Sequence, residues 1–274
     1  MRKVRDNLDK RRTMSEVNET LRLLDQRCST RAYDPAPPTD EEKRTVLHAA
    51  LRAPTAGNMM LYSIIEIEDQ ELKDRLAVTC DDQPFIARAP WVLLFVADFQ
   101  KWMDLFAACG CDELPDVPPG VTPGPGDLIM ACNDAVIAAQ NAVVAAESLG
   151  IGSCYIGDIM ELGETHAELL KLPRYTFPAA MLCLGRPKVR PHRTERYEEH
   201  VVHKNRYRRL TTSELADVSR ELDELHGARS PRPGVSGCVQ DVYARKFTAG
   251  FAAEMNRSVA WWLERWTSGT AGAE

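Results

Sequence analysis

Residues 127–149 read DLIMACNDAVIAAQNAVVAAESL, and this pattern predicts one long helix. Its polar residues come in neighbouring pairs seven positions apart, namely 133–134, 140–141 and 147–148. Seven residues are close to two helical turns, so the pairs form one narrow stripe, and small or aliphatic residues cover the rest. We therefore expect a helix buried on most sides, at the centre of a large domain or at a subunit interface.

Shorter apolar segments around this helix predict strands. Residues 91–97 read WVLLFVA, which is apolar on both faces and predicts a buried central strand. Other strands are predicted at 63–68, after Gly150 and at 179–184. Helices are predicted at 15–26, 39–52, 69–78, 212–226 and 241–266. In the last of these, an apolar stripe is expected from Phe247, Phe251, Met255, Val259 and Leu263, which recur every four residues.

The composition is that of a globular protein, and the length of 274 residues fits one or two domains. A formal net charge of −6 argues against a dedicated nucleic-acid binder. No stretch approaches the roughly 20 apolar residues that a membrane span requires. The charged N-terminus also lacks the apolar core of a secretory signal. We therefore expect a cytoplasmic protein that binds neither nucleic acid nor membranes.

Changes in composition suggest how the chain is organised. Residues 1–14 predict a flexible basic tail, 15–210 a folded domain and 211–274 a C-terminal helical extension. Residues 107–126, AACGCDELPDVPPGVTPGPG, are too rich in proline and glycine for regular structure. Such a long loop is either a flap at the rim of a site or a plain surface excursion.

Several familiar motifs are absent or incomplete. Gly150 and Gly152 could begin a dinucleotide fingerprint, but Tyr155 stands where the third glycine is required. None of the eight cysteines forms a Cys-x-x-Cys pair, so we expect free thiols and no metal site.

One short polar segment has the composition of an anion site. Arg27, Ser29 and Arg31 alternate, so an extended backbone would place all three side chains on one face. Two guanidinium groups and a hydroxyl match the oxygens of a phosphate. The alternative for such an isolated triplet is a solvated patch of charge.

Further motifs follow this triplet in a fixed order. They are APTAGN at 53–58, DQPFIARAP at 82–90, SLGIGSCYIGDI at 148–159 and LGRP at 184–187, with an arginine-rich run after the last. The ordered set, which extends over residues 20–210, resembles the FMN-dependent nitroreductase family.

The resemblance implies an α+β fold: a central mixed, mainly antiparallel sheet flanked by helices in three layers, within an intertwined homodimer. It also implies two FMN sites at the subunit interface, with the 127–149 helix at that interface. The implied reaction is a ping-pong transfer of two electrons. They pass from NADH or NADPH through FMN N5 to an electron-poor small molecule such as a nitroaromatic or a quinone. The flavin carries the chemistry, so no catalytic side chain is expected.

The resemblance also implies which residues bind FMN. They are Arg27, Ser29, Arg31, Thr55, Gly57, Asn58, Met60, Gln83, Tyr155, Ile156, Gly157, Asp158, Arg193 and Arg196. Arg27 and Ser29 would hold the phosphate and the ribityl chain, and Arg31 would reach the N1/O2 edge of the ring. Gln83 would bond the pyrimidine end, and the N–H of Gly157 would approach N5.

Two departures from the family pattern concern this site. Met60 stands where glutamine is frequent, and a thioether is a poor hydrogen-bond partner. Thr194 and Glu195 replace a common Lys-Pro pair, which removes a cation from the phosphate site. Two other functions therefore stay open: a flavin-binding sensor or carrier that does not turn over, and a flavin-free module that uses cysteines and histidines. Steady oxidation of NAD(P)H would distinguish the first alternative, and the colour of the protein would distinguish the second.

Overall fold

The computed structural model describes residues 18–190, 196–197, 200–229 and 232–268. Within these residues the strands are β1 (Tyr62–Glu66), β2 (Trp91–Asp98), β3 (Gly152–Ile156) and β4 (Thr176–Gly185). They form one sheet in the order β1-β2-β4-β3, and every neighbouring pair is antiparallel. A parallel element comes from an isolated bridge between Ser29 and Ser153. The predicted tail at 1–14 lies outside the described residues.

Helices surround this sheet and confirm the predicted α+β class. In chain order they are α1 (Glu19–Gln26), α2 (Asp40–Leu51), α3 (Gln70–Thr79), α4 (Pro84–Arg88), α5 (Gln100–Ala108), α6 (Pro125–Ser148), α7 (Gly163–Leu169), α8 (Thr212–Leu225), α9 (Cys238–Val242) and α10 (Gly250–Thr267). A capping box opens α2: Glu42 N–H donates to Thr39 Oγ1, and Thr39 N–H donates to the Glu42 carboxylate. Such a cap contributes about 1 kcal/mol.

Strand β2 is the centre of the sheet and is buried at all eight positions. Alternate residues enter two separate apolar clusters, with Val92 and Leu94 in one and Leu93 and Phe95 in the other. Because successive side chains point to opposite faces, both faces of the sheet are covered. Burial of each such side chain contributes about 1.5–3 kcal/mol.

Helix α6 covers one of these faces. Its contact stripe consists of small residues, including Ala135, Ala138, Ala139, Ala142 and Ala146, each fully buried. Short side chains allow a helix to approach the sheet closely. The opposite surface is exposed and includes large apolar side chains, with Ile129 58% and Val136 43% accessible, beside the polar residues Asn133 and Gln140. Within the chain one face of the helix is therefore buried, whereas the sequence predicts burial on most sides.

The same helix corrects one expectation from the sequence. By length and composition α6 is apolar enough to cross a membrane, although no stretch of the chain was expected to be so. Ten of its residues are buried inside the protein, and two of these, Asp134 and Glu147, are ionisable. This pattern is typical of a core helix.

The predicted apolar stripe of the last helix is wrong. A π-helical turn (Tyr243–Phe247) and a break separate α9 from α10, and the side chain of Phe247 is 75% exposed. The buried residues of α10 are Ser258, Trp262 and Trp266. Trp262 packs edge-on against Phe177, and Trp266 packs edge-on against Tyr175, at centroid distances of 5.7 Å. The buried tryptophans of this helix therefore enter the core of their own chain.

The chain divides into two compact units. The first contains residues 1–192 and 257–274, and includes the sheet. The second contains residues 193–256, in which α8 begins at a capping box on Thr211 and the Asp223 carboxylate accepts the N–H of Cys238. The predicted boundaries at 14 and 210 stay a prediction.

His166 in α7 is fully buried within the first unit. Its Nδ1 lies 2.9 Å from the Ile159 carbonyl oxygen, and its Nε2 lies 2.8 Å from Thr79 Oγ1. Burial lowers the pKa of His166, and the carbonyls of Ile159 and Glu161 oppose this effect. His166 therefore stays neutral in the fold at pH values where the unfolded chain is protonated.

We predict that the free energy of unfolding falls as the pH drops below about 6.5, because the unfolded state then binds the extra proton. This site contributes at most about 1.4 kcal/mol for each pH unit. Urea titrations at pH 7.5 and 5.5 measure the slope, which His166→Gln should reduce. The same replacement at the exposed His48 serves as the control. Equal slopes for wild type and His166→Gln would contradict the prediction.

Candidate functional site

The segment that carries the arginine triplet lies beside β3. Ser29 bridges Ser153, and the N–H of Thr30 donates to the Ser153 carbonyl oxygen at 2.9 Å. Further along, the Tyr33 hydroxyl donates to the carbonyl oxygens of Thr30 and Cys183. A Cβ at Gly152 would overlap the Thr30 side chain, so glycine permits this close approach. The backbone of residues 29–33 is thus held against the sheet.

Polar atoms on both sides of this contact lack partners. Arg27 Nε and Ser153 Oγ are buried, and neither has a hydrogen-bond partner among the described residues. Buried polar groups without partners are rare in folded proteins, because each costs about 1–3 kcal/mol. A ligand with hydrogen-bonding oxygens would satisfy both groups.

Both arginines act electrostatically on the adjacent strand. Burial raises the pKa of the Cys154 thiol, and Arg31 and Arg27 oppose this effect. Burial also raises the pKa of Tyr155 to about 12, again with Arg27 opposing it. The positive potential of the triplet therefore extends along β3, as the binding of an anion requires.

A second part of the site is the loop from Thr55 to Leu61. Asp134 of α6 is 3% exposed, and its carboxylate accepts the N–H of Ala56 at 2.9 Å and that of Leu61 at 3.2 Å. Both ends of the loop are therefore fixed to one side chain. Thr55 Oγ1 closes the loop by accepting the N–H of Met60 at 3.2 Å.

The backbone of this loop has an unusual conformation. Gly57, Asn58 and Met60 all have positive φ angles, between 51° and 58°. Glycine and asparagine tolerate this region, whereas a methionine there is strained unless its surroundings enforce it. On the neighbouring helix α5, Trp102 Nε1 donates to the Met59 carbonyl oxygen at 2.8 Å and holds the loop from outside.

A third part of the site joins Gln83 and Asp158. Gln83 Nε2 donates to Asp158 Oδ2 and to the Cys80 carbonyl oxygen, both at 2.8 Å. The guanidinium carbon of Arg31 lies 5.8 Å from the ring centroid of Phe85, two residues after Gln83. The structure thus brings together predicted residues from three distant segments.

The fourth part of the site is the turn that follows the end of β3. Ile156 is buried, Gly157 is exposed, and a 3₁₀ turn follows at Asp158–Met160. Ser258 of α10 supports this turn from behind: its hydroxyl donates to the Met160 carbonyl oxygen at 2.6 Å and accepts the Gly163 N–H at 2.8 Å. The C-terminal helix therefore supports the backbone next to Gly157.

A cavity of about 460 Å³ lies between α5 and the 107–126 loop. Its lining is mainly apolar and includes Phe99, Met103, Phe106 and Leu114. The ring of Trp102 lies 5.6 Å, between centroids, from that of Phe106 in this lining, and its Nε1 donates to the Met59 carbonyl oxygen of the Thr55–Leu61 loop. Whether the 107–126 loop is a flap stays a prediction.

The predicted residues of the FMN site fall into two groups. The first unit contains Arg27, Ser29, Arg31, Thr55, Gly57, Asn58, Met60, Gln83, Tyr155, Ile156, Gly157 and Asp158. Arg193 lies outside the described residues. Arg196 is exposed and belongs to the second unit, so its role stays a prediction.

Three supporting residues were not among the predicted site residues: Asp134, Trp102 and Ser258. A charge within the apolar helix at 127–149 was the one signal that could have identified Asp134. Among the described residues no cluster of three or more His, Cys, Asp or Glu side chains could hold a metal. All eight cysteines are free thiols.

The fold is an antiparallel sheet covered by helices, and the arginine triplet lies beside its edge strand β3. These features define a class of small-ligand binding proteins. Comparison with known proteins identifies the family. The profile of the nitroreductase family matches residues 24–186. The chain is 32% identical to FMN reductase (NAD(P)H) of Bacillus subtilis over 209 residues, covering 76% of this chain and 81% of the relative. It is 33% identical to the oxygen-insensitive NADPH nitroreductase of Salmonella typhimurium, covering 78% and 85%.

A solved structure agrees with this result. The structure titled NfrA2 of B. megaterium superposes with a TM-score of 0.73 at 31% identity, covering 88% of this chain and 98% of that one. The chain therefore belongs to the nitroreductase family, and the resemblance inferred from the motifs is confirmed.

We predict that Asp134→Ala lowers the free energy of unfolding by about 2–5 kcal/mol, because the buried N–H of Leu61 and the partly buried N–H of Ala56 lose their acceptor. Asp134→Asn retains a carbonyl oxygen and should lose less. Urea unfolding measures both, with the exposed neighbour Asn133→Ala as the control. If Asp134→Ala is as stable as the control, the carboxylate does not support the loop.

Proposed function

We propose that this protein is an FMN-dependent oxidoreductase that takes electrons from NADH or NADPH and passes them to a small electron-poor acceptor. Family membership and the names of the relatives support an electron-transfer role. The proposed acceptors are nitroaromatics, quinones or similar compounds, and we propose ping-pong turnover. When bound, FMN supplies the hydride chemistry at N5.

The observation that carries the proposal is a pair of buried atoms, Arg27 Nε and Ser153 Oγ, that have no hydrogen-bond partner in the described part of the chain. Arg27 Nε is a donor, and Ser153 Oγ can donate or accept. Both lie on the segments that Ser29 and Ser153 join. A phosphate with its ribityl chain offers oxygens for these groups, so the residues present fit FMN.

The other residues of the chain would orient the flavin and exclude water. Arg31 supplies a positive charge for the N1/O2 edge, where reduction increases negative charge. The Thr55–Leu61 loop, fixed by Asp134, would border the ribityl chain and the ring. Met60 would provide apolar contact in place of a hydrogen bond. The exposed backbone at Gly157 would be available to the ring.

We also propose that the protein is a homodimer with its FMN sites at the subunit interface. The exposed apolar surface of α6 supports this, because Ile129, Met130, Val136 and Ile137 are each more than 40% accessible. Asn133 and Gln140 are exposed on the same face, so it is a mixed surface with several large apolar side chains. Large exposed apolar side chains grouped on one face are frequent at interaction sites. A cytoplasmic location, with no nucleic-acid or membrane partner, belongs to the same proposal.

The first test uses the purified protein. We expect the absorption spectrum of a bound flavin, and bleaching when NADH or NADPH is added without oxygen. Reoxidation by a quinone would complete the cycle. A flavin that stays oxidised with both nucleotides would indicate a sensor or carrier, and failure to take up added FMN would overturn the proposal.

A second test addresses the arginine triplet. Arg27→Ala should weaken FMN binding by about ten- to a hundredfold, since hydrogen bonds to charged groups contribute about 1.5–3 kcal/mol. Arg75→Ala removes an exposed arginine of α3 and is the control. Quenching of flavin fluorescence measures both dissociation constants. Equal affinities would remove Arg27 from the site.

The dimer has its own test. Val136→Glu places a charge in the exposed apolar face of α6, and we expect it to shift the mass measured by light scattering from dimer to monomer. Val78→Glu introduces the same charge at an exposed position of α3 and should leave the mass unchanged. A wild-type protein that is monomeric at micromolar concentration would contradict this part of the proposal.

A further inference from the structure

The amide of Gln83 has a defined orientation in this structure. One atom, Nε2, lies 2.8 Å from the Cys80 carbonyl oxygen and 2.8 Å from Asp158 Oδ2. Both neighbours accept hydrogen bonds, and a carboxylate oxygen or a carbonyl oxygen in contact with Oε1 would repel it. The amide nitrogen must therefore occupy this position.

This arrangement uses both N–H groups of the amide. A glutamine amide has two N–H donors and one carbonyl acceptor. With both donors directed to Cys80 and Asp158, Oε1 is the only group of the amide left for a ligand. Gln83 can then accept a hydrogen bond from a ligand but cannot donate one.

Arg31, which lies over Phe85, differs from Gln83 in its hydrogen-bonding groups. The guanidinium of Arg31 lies above Phe85, and Phe85 follows Gln83 by two residues in the same short helical segment. A guanidinium only donates hydrogen bonds. The two side chains therefore offer one donor and one acceptor at this end of the site. The pyrimidine edge of a flavin has the matching pattern, with a carbonyl oxygen beside the ring N3–H.

We propose that Asp158 is a positioning residue that fixes the Gln83 amide with its carbonyl oxygen towards the ligand, so that the site selects a flavin ring carrying an N3–H. Asp158 makes this selection without touching the ring edge itself. The proposal rests on the proposed function, because it assumes that the ligand is FMN.

The experiment compares FMN with its N3-methyl analogue, which lacks the N–H. Flavin fluorescence quenching gives a dissociation constant for each ligand, and the informative quantity is the ratio of the two. In the wild type we expect the analogue to bind about tenfold or more weakly, because an acceptor is left unpaired. In Asp158→Ala the Cys80 carbonyl oxygen alone still accepts from Gln83 Nε2, so one contact fixes the amide instead of two. FMN should then bind more weakly, and the ratio should shrink severalfold.

The conservative variant separates orientation from charge. Asp158→Asn retains a carbonyl oxygen for Gln83 Nε2 but has no charge, and we expect it to keep the wild-type ratio. A ratio as small as that of Asp158→Ala would mean that the charge acts, and would overturn the inference. The Asp158→Asn protein also serves as the second variant if Asp158→Ala does not fold.

The chain offers a matched control. Gln70 Nε2 donates to Asp74 Oδ1 at 2.7 Å and to the Ala87 carbonyl oxygen at 3.0 Å, which repeats the Gln83 arrangement on an exposed surface. Asp74→Ala should leave both affinities unchanged. If Asp158→Ala binds FMN but keeps the wild-type ratio, the inference alone fails. If the wild type binds neither flavin, the proposed function fails with it.

Discussion

The carboxylate of Asp134 connects the scaffold to the site. It belongs to α6, whose alanine face packs against the sheet, and it accepts two N–H groups from the Thr55–Leu61 loop. A short loop with three positive φ angles would not hold its conformation alone. Because α6 is fixed by the core, the loop takes its position from the helix. Burial of the charge is tolerated because it is hydrogen-bonded.

The other parts of the site are also fixed by contacts with residues that are distant in sequence. Tyr33 holds the arginine triplet through the Cys183 carbonyl oxygen of β4. Ser258 holds the turn after β3, and Trp262 and Trp266 bury α10 in the core. Asp134, Tyr33 and Ser258 set these positions although none of them is assigned to ligand contact, whereas Thr55 and Asp158 have both assignments.

The sequence predicted the parts that depend on local pattern. The helix predicted at 127–149 is found at Pro125–Ser148, and the buried strand predicted at 91–97 is found at Trp91–Asp98. Both predictions follow from the pattern of apolar residues. The sequence could not predict the stripe of α10, because the π-helical turn shifts the register, and the tryptophans rather than Leu263 enter the core. For the site, motifs identified candidate ligand contacts, but Asp134 and Ser258 act across 73 and 98 positions of sequence, which no local motif records.

Long-range support also explains why donors and acceptors can be assigned before a ligand is considered. At the triplet, Arg27 Nε has no partner among the residues that the structure describes, so that end of the site offers donors to an anion. At Gln83 both donors are used within the protein, so that end offers an acceptor. One end therefore offers hydrogen-bond donors and the other an acceptor, and contacts within the protein cause this difference. A ligand that fits both must have an anionic group at one end and an N–H at the other, which is a stricter requirement than the cationic triplet imposes alone.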